Sequence, residues 1–167
     1  ALTTGACNIA IGLNAYGTAE AGGYNIAVGH CALGACLTTG VKNIAIGMQA
    51  SQSITSGYNN VAIAEGSAVA LTTGFHNVSV GSNSLAGSTT GCYNVALGFT
   101  AMGGSDTAGN SNIAIGYHPA DALTTGAENI AIGATALGGA TIGHRNIAIG
   151  CQAMGSVTTG QADDNIA

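Results

Sequence analysis

Asn8-Ile9-Ala10-Ile11-Gly12 decides the fold, because it comes back. Forms of it begin at Asn25, Asn43, Asn60, Asn77, Asn94, Asn112, Asn129 and Asn146, with a truncated copy at Asn165. Successive spacings are 17, 18, 17, 17, 17, 18, 17, 17 and 19 residues. A near-constant period along all 167 residues marks a solenoid, in which stacked copies bury what a single copy cannot. An α-solenoid is excluded, since its repeats run from about 33 residues upward.

Glycines bracket the motif. One lies three residues before the Asn, from Gly5 to Gly143, with Gly160 displaced in the lengthened last copy. Another lies four residues after it, from Gly12 to Gly150, with Ala64 the exception. Between them, the first and third residues after the Asn are Ile, Val or Leu, and the second is Ala, or Ser at Ser79. Alternation with period two predicts a short β-strand with its branched residues on one side. Those branched residues are expected to stack into a narrow core. A second, weaker strand is expected at the small column Ala15, Ala32, Ala50, Ser67, Ser84, Ala101, Pro119, Ala136 and Ala153, often followed by Leu or Met. The fold class is therefore all-β: a parallel β-solenoid, or β-roll, of about nine to ten coils with a 17–18 residue repeat. At roughly 4.8 Å per coil the rod is about 43 Å long. Residues 1–167 read as one repeat domain, a mature or excised segment of a longer fibre or polymer, with strand edges at its ends that invite further copies.

Composition narrows the partners. Only 5% of residues are charged, against about 25% in ordinary globular proteins, and 47% are hydrophobic. The net charge is −5, and Lys42 and Arg145 are the only cations, which argues against nucleic acid. No apolar run approaches the roughly 20 residues of a membrane helix, so no membrane insertion is expected. Too few charges remain to solvate a free surface well, which points to contact with other protein or to exposed polar columns of Thr, Ser and Asn.

Three columns stand out. Asn8, Asn25, Asn43, Asn60, Asn77, Asn94, Asn112, Asn129 and Asn146 read as a structural amide ladder, each bonding its neighbours above and below, rather than an exposed ligand-binding row. Ala10, Ala27, Ala45, Ala62, Ala96, Ala114, Ala131 and Ala148 are expected to face outward. Their small size suggests close approach of a second chain or second sheet, or packing within a flattened coil. Thr3, Thr38, Thr55, Thr72, Thr89, Thr107, Thr124 and Thr141, five residues before the Asn, offer an alternative ice-binding file. Glu20 breaks that file, and adjacent threonines point to opposite faces of a strand.

Signals of catalysis, metal or cofactor are lacking, and no enzyme is expected. His30, His76, His118 and His144 fall in different columns, and Asp163 and Asp164 point apart. The sequon Asn77-Val78-Ser79 lies inside the ladder strand, where glycosylation is not expected. Cys7, Cys31, Cys36, Cys92 and Cys151 occupy unlike columns, with a Cys31–Cys36 bridge the one conceivable intracoil pair. The residues just before the Asn, and those five after it, vary freely and read as solvent corners. Tyr24, Tyr93 and Tyr117 there offer rings to a glycan, although scattered exposed rings are ordinary.

Asn-Ile-Ala-Ile-Gly followed by small residues resembles the head repeats of trimeric autotransporter adhesins, and similar strings occur in phage tail-fibre β-rolls. The resemblance implies left-handed parallel β-rolls packed three side by side, with the Ala column between chains and a tip that binds host surfaces. This chain departs in its longer coil and its scarcity of charge. Asn77-Val78-Ser79-Val80-Gly81 is also similar to strands of grass ice-recrystallisation-inhibiting β-rolls. The expected function is thus a structural fibre or filament segment, extracellular or on a cell or virion surface. It would associate with copies of itself, as a trimer or end to end, and carry a cell-surface or glycan ligand if adhesive.

Overall fold

The computed structural model describes residues 5–17, 21–34, 38–139, 141–156 and 163–167. Each Asn motif forms one three-residue strand: β1 (Ile9–Ile11), β2 (Ile26–Val28), β3 (Ile44–Ile46), β4 (Val61–Ile63), β5 (Val78–Val80), β6 (Val95–Leu97), β7 (Ile113–Ile115), β8 (Ile130–Ile132) and β9 (Ile147–Ile149). The strands pair in chain order into a single parallel sheet. The register never slips, so branched residue lies on branched residue and Ala on Ala, as in Ile26↔Ile44 and Ala27↔Ala45. Ile166 extends the ladder by a single parallel bridge to Ile147. The fold is a parallel β-solenoid.

Among the described residues the second strand does not form. Each coil instead makes left-handed turns at two alternate positions, six and eight residues after the Asn, as at Asn83 (φ 55°) and Leu85 (φ 51°). A backbone that alternates in this way cannot stay extended. Its amides still pair between coils: Asn83 N–H donates backward to Glu65 O at 2.9 Å, and Leu85 N–H forward to Ala101 O at 2.8 Å. The backbone is thus satisfied without a strand.

The sheet is also the other way round from the expectation. Ala27, Ala45, Ala62, Ala96, Ala114, Ala131 and Ala148 are wholly buried and face the lumen, while Ala10 in β1 is exposed. The branched residues on either side of them lie half-exposed on the outside, as the patterns of β4 to β8 show. The reason is parity. Asn and Ala are two residues apart and share a side of the strand. Asn bonds its neighbours inside the coil, so Ala follows it in and the Ile and Val columns go out. A coil closed by 17 residues leaves a lumen too thin for branched side chains on both walls.

The opposite wall supplies the bulk. Leu33, Ile54, Leu71, Leu85, Met102, Leu123 and Leu137 are the large, fully buried apolar side chains. They come from two columns, eight and eleven residues after the Asn, and the columns compensate. Ser51 is followed by Ile54, Ala68 by Leu71 and Ala120 by Leu123, whereas Leu85 is followed by Ser88. In the 18-residue coils Leu33 is balanced by Thr38 and Met102 by Thr107. In these coils one large and one small side chain fill the lumen to the close packing of a protein interior.

Candidate functional site

The most prominent surface is the outer face of the sheet. Its two files run from Ile9 to Ile147 and from Ile11 to Ile149, and every member is Ile, Val or Leu. None of them is buried, and Ile46 and Ile149 are 39% and 58% exposed. Nine strands at about 4.8 Å give a stripe about 38 Å long and roughly 10 Å wide, on the order of 400 Å². That lies within the range of the largest apolar patches on monomers, which are often functional. Apolar side chains continue along its margins: Leu13, Met48, Phe99 and Tyr117 on one side, Val41, Tyr58 and Phe75 on the other. Charges reach only the corners, at Lys42, Glu65, Glu128, Arg145 and Asp164.

Inside, the asparagines form a continuous ladder. Asn60 donates from both its backbone N–H and its Nδ2 to Asn43 Oδ1, at 3.0 and 3.1 Å. Its Nδ2 also donates to Gly74 O at 2.9 Å. Its own Oδ1 then accepts both bonds from Asn77, at 3.0 Å each. The amide is fully satisfied on both sides. The pattern runs to Asn165, whose N–H and Nδ2 donate to Asn146 Oδ1 at 3.1 and 3.0 Å. At the other end, Asn25 Nδ2 donates to the Tyr16 hydroxyl at 2.8 Å, and that hydroxyl donates to Gly22 O at 2.8 Å. Burial raises the Tyr16 pKa above its ordinary 10.0, more than the Asn25 bond lowers it. With Asn25 to Asn146 buried, including Asn77 of the sequon, this column meets no ligand.

The Thr column does not make one surface. Thr38 and Thr107 are wholly buried, and their hydroxyls donate to Ile54 O at 2.8 Å and Leu123 O at 3.0 Å. The extra residue in their coils shifts the chain by one and turns them inward. Thr55, Thr72 and Thr124 are half-buried and donate to the carbonyls of Thr72, Thr89 and Thr141, at 3.2, 2.9 and 2.8 Å. Thr89 bonds the Asp106 carboxylate at 3.0 Å. Thr141 is exposed, and Thr3 lies outside the described residues. The bonded hydroxyls serve the neighbouring coil, and among the described residues the file is interrupted at Thr38 and Thr107.

The corners carry the remaining chemistry. Tyr58 stacks on Phe75 (ring centroids 4.9 Å apart), His76 on Tyr93 (5.2 Å) and Phe99 on Tyr117 (5.6 Å). The coil repeat itself produces these ladders by placing rings in one column. Arg145 grips Asp164 across a coil, with Nε and Nη2 at 2.6 and 3.1 Å from the two carboxylate oxygens. That pair holds the Asp164 carboxyl below its usual pKa. Cys7, Cys31, Cys92 and Cys151 are free thiols, and Cys36 lies outside the described residues. Among the described residues no three His, Cys, Asp or Glu side chains come together to hold a metal, and no helix is long and apolar enough to cross a membrane. Sequence reasoning missed the outer Ile and Val face, although the parity of Asn and Ala was signal enough to find it. Compared with known protein families, curated proteins and solved structures, the chain matches none.

Proposed function

We propose that this chain is a self-associating structural segment of an extracellular or virion-surface fibre, with no catalytic role. The observation that carries the reading is the outer sheet face: two unbroken files of Ile, Val and Leu, uncharged over nine strands. Left in water, such a face costs about 25 cal/mol for each Å² of apolar area. Packing it against the same face of another copy removes that cost. The stripe alone covers roughly half of the about 800 Å² that each partner gives to a standard interface, and the margin that carries Val41, Tyr58 and Phe75 adds to it. A parallel sheet is ordinarily covered on both faces. Here the lumen covers one, and a second copy covers the other. The contact surface is therefore the branched columns, in place of the Ala column that lines the lumen. The resemblance to adhesin and tail-fibre repeats supports the surface location and an adhesive task.

Light scattering of the purified chain, with electron microscopy of the same sample, tests this. The wild-type chain is expected to form multimers or filaments at micromolar concentration. The double variant Ile46→Lys, Ile115→Lys places two charges on the outer face, where the lumen is untouched. It should shift the mass to that of one chain while circular dichroism stays unchanged. A wild-type chain that remains monomeric at tens of micromolar overturns the proposal.

A further inference from the structure

Beyond the Tyr117 margin of the Ile and Val face, a polar trough of about 410 Å³ runs along the solenoid axis across the coils that follow Asn112, Asn129 and Asn146. One wall is the column six residues after the Asn: His118, Thr135 and Gln152. The other is the column nine residues after it, where Asp121 is followed by Gly138 and Gly155. The two glycines add no side chain to that wall; the same column carries Gln52, Val69 and Ala86 in three earlier coils and glycine in three others, at Gly17, Gly34 and Gly103.

We infer that this trough is a binding subsite for a neutral carbohydrate. Its lining consists of groups that donate to and accept from hydroxyls: an imidazole, a carboxylate, an amide, and the hydroxyls of Thr135 and Ser156. No cation lines it, for Lys42 and Arg145 lie elsewhere, so phosphate and other anions find no counter-charge. Asp121 Oδ2 lies 3.5 Å from His118 Nδ1, whose shorter contact is with the Thr100 hydroxyl at 2.6 Å, while Asp121 Oδ1 is buried without a hydrogen-bond partner. An aromatic wall stands beside the trough, where the Tyr117 ring packs edge-on against His118 at 4.3 Å and continues the stack from Phe99. Tyr117 is largely exposed. An apolar ring next to a row of polar groups matches the two faces of a sugar, C–H on one side and hydroxyl on the other. Two coil spacings give a length of about 10 Å, enough for a mono- or disaccharide. The volume falls within the usual range for small-ligand sites.

The test is to apply the full-length chain to an array of neutral mono- and disaccharides, and to follow the best binder by titration calorimetry. Binding to at least one neutral sugar is expected. Gln152→Ala and Asp121→Asn should each weaken it about tenfold, the effect of one lost hydrogen bond to a well-placed partner. Gln49→Ala is the control: it lies in the same column as Gln152, in a coil that does not line the trough, and it should change nothing. The Ile46→Lys, Ile115→Lys variant should bind as the wild type does, so failure of self-association and failure of this site are read separately. Absence of any binding overturns the inference. So does binding that Gln152→Ala and Asp121→Asn leave intact, binding restricted to anionic sugars, or binding abolished by a metal chelator.

Discussion

The two walls of each coil fill the same thin lumen by opposite means. The strand wall uses one residue per position in every buried coil: Asn in one column, and Ala in the other apart from Ser79. The turn wall is free in each column separately and constrained only in their sum, with a large residue at one of two positions and a small one at the other. The strand wall is bound by register, since each Asn must meet the Asn above and below it in an identical place. The turn wall has no such partner to match, and only the volume in the coil decides. Mutations should therefore be irreparable on the first wall and exchangeable on the second.

The largest effect is expected from Asn60→Ala. Without this amide, Asn77 N–H and Nδ2 lose their shared acceptor, Gly74 O loses a donor, and Asn43 Oδ1 keeps only the bond from the backbone N–H of residue 60, all in the buried interior. Each buried polar group left without a partner costs about 1–3 kcal/mol, so urea denaturation should show a loss of roughly 3 kcal/mol or more. No second substitution within that coil should restore it. A loss below about 1 kcal/mol would mean that water replaces the amide and that the two walls do not differ in kind.

The turn wall predicts a rescue instead. Leu85→Ala removes the bulk from its coil and should cost about 2–4 kcal/mol. Ser88→Leu overfills the same coil and should cost about 1–3 kcal/mol. Together they reproduce the arrangement of Ala68 and Leu71 one coil earlier, and the pair should return most of the stability. A double-mutant cycle by the same denaturation would measure this coupling. If the two costs simply add, the compensation between the columns is accidental.

The same contrast explains what could be read from sequence. The period, the parallel stacking and the Asn ladder were legible because register forces near-identity in those columns. The orientation of the sheet was legible too, through the parity of Asn8 and Ala10, but the hydrophobicity of the branched residues argues for the opposite face. That rule fails here because each lumen has room for little more than one large side chain, and the opposite wall supplies it. The turn wall was not legible column by column, because Leu33, Ser51, Ala68 and Leu85 share one column and obey no common type. The left-handed turns were hidden as well, since Asn83, Thr100, His118 and Gln152 occupy them where glycine would have announced them. The trough was hidden because His118, Thr135 and Gln152 are 17 residues apart in sequence and come together with Asp121 only once the coils are stacked.

The smallest predicted effect lies at the corner where the strand wall ends. The glycines four residues after the Asn sit at φ of 128° to 137°, as at Gly98 and Gly47, and Ala64 alone replaces one, at φ 106°. Two constraints act there. A side chain at such a φ is strained, and a Cβ would also press on the next coil: on Gly116 it would come within 2.9 Å of Gly133 O. Ala64 is tolerated because its φ has swung away from that of its column, and its coil carries glycine two residues later, at Gly66, where other coils turn left-handed without one. Ala64→Gly relieves an alanine strain of about 1–2 kcal/mol and gives back about 0.5–1 kcal/mol in the flexibility of glycine. A net gain of about 0.5–1 kcal/mol is expected in the same denaturation. No gain would show that backbone strain at this corner is negligible and that close approach of the next coil alone keeps the column glycine.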